Sequence, residues 1–169
     1  MTRHLTFFRY LAYSLEIILL AVLQSTPDLM PELFGGKPLL LVPLAIVIAS
    51  RESQLTSMIF GAVCGALTDA ASGGFVGFFA ITLTLVCYFE AQIFNRYFVA
   101  GILPVTVISA VAISCLICLY FLIFKVLAQI PDVGVLFINH YISRIAYTFA
   151  AVFPLYFINL FLYKKLGKS

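Results

Sequence analysis

Glu16 is the residue whose chemistry is hardest to reconcile with its neighbours. It stands near the centre of the apolar run YLAYSLEIILLAVLQ, where an ionised carboxylate costs roughly 3 kcal/mol or more unless it is paired, protonated or wetted. Arg9 and Tyr13 precede it on nearly the same helical face and Gln24 follows about two turns later, so the stripe is expected to point into a bundle. Such an acid serves a proton or substrate site, or fixes helix register. With no second acid assignable to its depth, the register role is the reading favoured.

Asp69 is the next candidate. It ends a helix lined with small residues and is followed by Ser72, Gly73 and Gly74. Two readings are open: an ion pair with Arg144 or Lys125, which fall at a similar depth, or an aspartate that satisfies a helix end and its turn through backbone hydrogen bonds. Glu90 and Arg96 fall near the end of their apolar segment and are expected to snorkel to the headgroups. Cys115 and Cys118 form a CxxC inside VAISCLICLYFLIF, with no turn, second pair or nearby histidine. With Cys64 and Cys87 they read as small buried hydrophobes. His4 and His140 are isolated. No Ser/His/Asp set, HExxH or phosphate-binding glycine loop is present, so neither an enzyme, a cofactor nor a metal is expected.

These residues need a scaffold, and composition says where it sits. A chain of 169 residues that is 63% hydrophobic and only 10% charged lacks the polar residues to cover a soluble domain, whose charged share is about 25%. A single integral membrane domain over residues 1–169 is predicted, all-α and polytopic, with lipid as its surroundings. The net charge of +3 is not arranged as a basic stripe for nucleic acid. Six transmembrane helices in one bundle are marked by apolar segments at about 8–25, 38–50, 55–70, 75–94, 99–124 and 141–163. The second and third are short against the 20 or so residues that cross hydrocarbon. Pro38 suits a helix start, while Pro43 and Pro154 are expected to kink theirs. With six crossings, Arg3, Arg9, Arg51, Arg96, Lys164, Lys165 and Lys168 share one side, and Lys37, Lys125 and Arg144 the other. The positive-inside rule then places both termini in the cytoplasm.

The third segment carries the most regular pattern. Ser57, Gly61, Gly65 and Asp69 recur at every fourth position, with Ala62, Ala66 and Ala70 beside them, and Gly77 closes the turn that follows. Glycine weakens a helix in water by about 1 kcal/mol, but in lipid a small-xxx-small face lets another backbone approach closely. Gly61, Gly65, Ala66, Gly74 and Gly77 are candidates for docking a partner helix or for packing inside the bundle, with internal packing favoured.

The spacing Gly61-x3-Gly65-Ala66-x2-Asp69-x2-Ser72-Gly73-x3-Gly77 resembles the most characteristic segment of the MreD family, small bacterial inner-membrane rod shape-determining proteins. The basic N-terminus, Pro27, Lys37-Pro38, Pro154 and the basic tail agree in outline. The resemblance implies a non-enzymatic scaffold of the elongasome in the bacterial cytoplasmic (inner) membrane. It would bind MreC, act with MreB, RodA and a class B penicillin-binding protein, and support side-wall peptidoglycan synthesis and rod shape. It also implies a fold like the six-helix substrate-binding components of energy-coupling-factor transporters, hence an alternative role as such a vitamin-binding component. Against that, those components usually carry Ala-x3-Ala on helix one, where this chain has Ala12-x3-Glu16 and Ala21-x3-Ser25. The apolar outer loops also offer few groups to orient a vitamin.

Overall fold

The computed structural model describes residues 2–26, 39–72, 77–97, 101–126 and 142–166, and among these there is no strand. The helices are α1 (Thr2–Ser25), α2 (Leu41–Ala49), α3 (Gln54–Ser72), α4 (Phe78–Arg96), α5 (Ile102–Phe121), α6 (Ile142–Ala150) and α7 (Val152–Leu166). A π turn, Leu122–Val126, prolongs α5. Among the described residues, five stretches are long and apolar enough to cross a membrane: Thr6–Ser25, Gln54–Ser72, Phe78–Arg96, Ile102–Phe124 and Arg144–Lys165. Their outer faces leave Leu15, Ile18, Val22, Ile59, Ile81, Phe89, Val107, Val111 and Phe161 exposed. Hydrocarbon solvates such faces, where water would drive them together. The chain is a multi-pass membrane protein.

Six crossings were expected, the second and third of them short, and α2 is shorter still than its apolar segment. At nine residues it is about 14 Å long, too short to cross alone. It is instead the helix around which the others pack, touching α1, α3, α4, α5, α6 and α7. Every one of its residues is buried, as befits a helix that is apolar all round. Its start is held by neighbours: Leu39 N–H donates to Thr148 Oγ1 at 3.2 Å and Leu41 N–H to Gln24 Oε1 at 3.3 Å.

Hydrogen bonds also fix the direction of each helix. Gln24, near the end of α1, meets the start of α2, whereas Arg9, about 22 Å back along α1, meets Glu52 just after α2. The segment that carries α2 thus returns the chain from one end of the bundle to the other. Asn95, late in α4, donates to the Glu52 carbonyl at 3.3 Å. Tyr163, late in α7, lies under Arg9. The described parts of both chain ends, the α2–α3 turn and the end of α4 therefore share one end. The starts of α4 and the end of α5 meet at the other, where the Phe79 ring stacks on Tyr120 at 5.4 Å and Phe78 meets Phe124 at 5.3 Å.

Proline starts one helix and interrupts another. Pro43, Pro104 and Pro154 each stand third in α2, α5 and α7, in the first turn, where a helix needs no N–H donor. At Pro154 the missing donor and the ring's clash with the carbonyl four residues back end α6 at Ala150. Bonds from Ala151 N–H to Tyr147 and from Leu155 N–H to Ala151 carry the chain across the break. Pro43 begins α2 rather than kinking it, while Pro154 interrupts the single span Arg144–Lys165 between α6 and α7, where the sequence placed a kink.

Candidate functional site

Asp69 is 3% exposed and spends both its oxygens on the start of α4. Oδ2 accepts from Gly77 N–H and Ala80 N–H, and Oδ1 from Phe79 N–H, each at 3.0 Å. A helix leaves its first N–H groups without internal partners, and an anion there also meets the positive end of the helix dipole. Asp69 thus caps α4 from a different helix. Gly77, the residue before α4, has φ +104, a left-handed backbone that side chains other than glycine rarely adopt.

The small-residue stripe divides between two faces. Ser57, Gly61, Gly65 and Asp69 are buried, whereas Ala66, Ala70 and Ser72 are exposed. An added Cβ at Gly65 would lie 2.5 Å from Ala80 Cα and closer still to the Phe79 carbonyl, so α3 and α4 touch backbone to backbone there. At Gly61 it would lie 3.0 Å from Cys87 Sγ and 3.1 Å from the Leu83 carbonyl. Gly61 and Gly65 pack within the α3–α4 pair, and Ala66 faces outward. Ser72 Oγ bonds the Thr68 carbonyl at 2.6 Å. Gly73, Gly74, Lys37, His140 and the side chains of His4 and Lys125 lie outside the described residues.

The polar stripe of α1 faces inward and is shared among three partners. Arg9 Nε lies 2.8 Å from Glu52 Oε1, and Arg9 Nη2 donates to Oε2 at 3.0 Å. Tyr13, with no exposed surface, donates to Glu52 Oε1 at 3.3 Å. The Tyr163 ring meets two guanidinium groups, Arg9 at 5.4 Å and Arg51 at 5.5 Å, and Arg51 also covers Tyr156 at 5.1 Å. Burial raises the Glu52 carboxyl above its usual range, while Arg9 and the Tyr13 hydroxyl lower it again in part. Arg51 and Glu52 look like an ordinary polar turn in the sequence. The signal available was the inward-facing Arg9 and Tyr13, which call for an acid.

Glu16 meets Asn159 rather than an ion. Asn159 Nδ2 lies 3.1 and 3.2 Å from the two Glu16 oxygens and 3.1 Å from the Leu155 carbonyl. Arg144, at the start of α6, is partly buried. Glu90 overturns its expected snorkelling: it is 2% exposed, and neither oxygen has a hydrogen-bond partner among the described residues. It faces the interior because Leu83, Cys87, Glu90, Ala91 and Phe94 form the buried face of α4. Cys64 and Cys87 are buried, but Cys115 and Cys118 are exposed on the lipid side of α5.

The chain matches the family described as rod shape-determining protein MreD over residues 1–166. It belongs to the MreD family. The match covers all seven helices, so the Asp69 cap, the glycine contacts and the α1 stripe all fall within the family's domain. Membership carries a role in rod shape determination. No curated protein and no solved structure matches the chain.

Proposed function

We propose that the chain is a non-enzymatic scaffold of the elongasome in the bacterial cytoplasmic membrane. It binds MreC and supports side-wall peptidoglycan synthesis alongside MreB, RodA and a class B penicillin-binding protein. The observation that carries this reading is the family match across residues 1–166. The architecture supports it, because the middle of the bundle is filled by the apolar side chains of α2 and specific polar groups are spent on joining helices.

Both termini face the cytoplasm in this reading. The shared end of the bundle carries Arg9, Arg51, Arg96, Lys164 and Lys165, the bias expected of a cytoplasmic side. Ala66 and Ala70 on the exposed face of α3 are candidates for partner contact, and Gly61 and Gly65 act through the α3–α4 contact.

Affinity purification of the full chain from native membranes tests the proposal. Recovery with MreC supports it. Recovery instead with a transporter ATPase module or a tightly held vitamin sinks it in favour of the energy-coupling-factor role.

A further inference from the structure

Positive charge gathers at the end of the bundle where α1 begins and α7 finishes. Arg9 of α1, Arg51 of the α2–α3 turn, and Lys164 and Lys165 of α7 stand there. Against them the turn sets one acid, Glu52, whose two oxygens take Nε and Nη2 of Arg9. The Tyr163 ring, next to the two lysines in sequence, meets the Arg9 and Arg51 guanidinium groups at 5.4 and 5.5 Å. The Arg9 side chain is only 15% exposed, so water screens this surplus only in part.

An apolar stripe leads to the same place. Phe153, Phe157, Phe161 and Lys165 follow at every fourth position of α7 and share one side of the helix. Lys164, three residues after Phe161, borders the same side. All three rings are exposed, and Lys165 Nζ lies 5.5 Å from the centre of the Phe161 ring. The span Arg144–Lys165 ends at this lysine, so the stripe runs through hydrocarbon while its charges reach the headgroups.

We propose that the outer side of α7 binds an anionic phospholipid, its phosphate held by Lys164 and Lys165 and its acyl chains lying along Phe153, Phe157 and Phe161. The guanidinium groups at Tyr163 add to the field that draws the phosphate in. The tails match rings that none of the described helices covers. A water-soluble acidic segment of a protein would meet the charges but has nothing to lay along the phenylalanines below them. A zwitterionic lipid fits less well, because its own ammonium meets the same positive field.

The full chain, purified in neutral detergent, is titrated with phosphatidylglycerol or phosphatidylcholine, and bound lipid is counted by native mass spectrometry. Phosphatidylglycerol should bind about tenfold more tightly. Changing Lys164→Gln and Lys165→Gln together should cut that preference about fivefold or more with thermal melting unchanged, and the Lys164→Arg, Lys165→Arg pair should keep it. Arg96→Gln, which removes an exposed cation of α4 at the same end of the bundle, should leave it intact. Equal binding of the two lipids overturns the proposal, as does a preference indifferent to the lysine pair. If Arg96→Gln is as damaging as losing both lysines, the effect is a general surface potential and there is no site. Displacement of the lipid by millimolar inorganic phosphate would assign the lysines to a soluble anion. Cross-linking of Lys164 or Lys165 to a protein carboxylate in native membranes, with no lipid preference in the titration, would assign them to a protein.

Discussion

Asp69 and Gly77 are joined by a 3.0 Å hydrogen bond that fastens the end of α3 to the beginning of α4. The same carboxylate takes the N–H groups of Phe79 and Ala80. Hydrogen bonds to a charged acceptor each contribute about 1.5–3 kcal/mol. Asp69→Ala leaves three donors of α4 to find new partners, so a loss of about 2–4 kcal/mol is expected in denaturant unfolding followed by circular dichroism. Asp69→Asn keeps one acceptor and should fall between. Because the partners of Asp69 are backbone groups of α4, adding Arg144→Gln should add its own cost with no coupling. A double variant milder than the worse single one would restore the ion-pair reading.

The two faces of α3 should respond oppositely to bulk. Gly65→Ala forces a Cβ into the backbone of α4 and is expected to cost about 1–3 kcal/mol. Gly61→Ala meets the Cys87 side chain at 3.0 Å and the Leu83 carbonyl at 3.1 Å, looser contacts than those at Gly65, and should cost less. Ala66→Leu adds bulk to an exposed position and should leave unfolding unchanged within about 0.5 kcal/mol. Loss of partner recovery in that variant would mark the outer face of α3 as a docking surface.

The helical class was legible because apolar runs long enough to cross a bilayer have few other uses, and the acid–glycine spacing at Asp69 pointed to the family. Periodicity also aimed Arg9, Tyr13, Glu16 and Gln24 at one face. It was blind to which helix each would meet. Arg9 lies two turns from Glu16 in sequence yet pairs with Glu52, because α2 returns the chain to the level of Arg9. Glu90 was misplaced for a related reason. Nearness to a helix end suggested headgroups, but the face it shares with Cys87 and Ala91 is turned inward. The shortness of the α2 segment was legible, but which side chains take the N–H groups of Leu39 and Leu41 is a tertiary fact.

The Arg9–Glu52 pair should make stability depend on pH in a set direction. Glu52 lies outside the membrane-spanning segments, and burial lifts its folded pKa above the unfolded value. The folded state therefore holds the proton more tightly. Its contribution is fully present below the unfolded value and is lost as pH rises through the folded one. Arg9→Gln removes the attraction that offsets burial and lifts the folded value further. A cost of about 3 kcal/mol is expected at pH 7.5, shrinking as the pH is lowered towards 5. The Arg9→Gln, Glu52→Gln double variant should recover much of that loss and unfold with little dependence on pH. A penalty for Arg9→Gln that is constant across this range would show that Glu52 is not the group responsible.

Glu90 offers the opposite expectation for a buried acid. Neither oxygen has a hydrogen-bond partner among the described residues, so the carboxyl brings desolvation cost without compensating bonds. Replacing a poorly satisfied buried polar group by an apolar one of similar volume is often neutral or stabilising by about 1–4 kcal/mol. Glu90→Met should therefore unfold at equal or higher denaturant than the parent chain, in contrast to Asp69→Ala. The same variant, expressed in cells that depend on this chain for rod shape, separates two roles. If Glu90→Met cells keep their rods, the acid is tolerated rather than used. If they round up while the protein accumulates and melts normally, Glu90 acts in a state of the molecule in which α4 is packed differently. A destabilised Glu90→Met protein would mean that the carboxyl has a partner in the folded bundle after all.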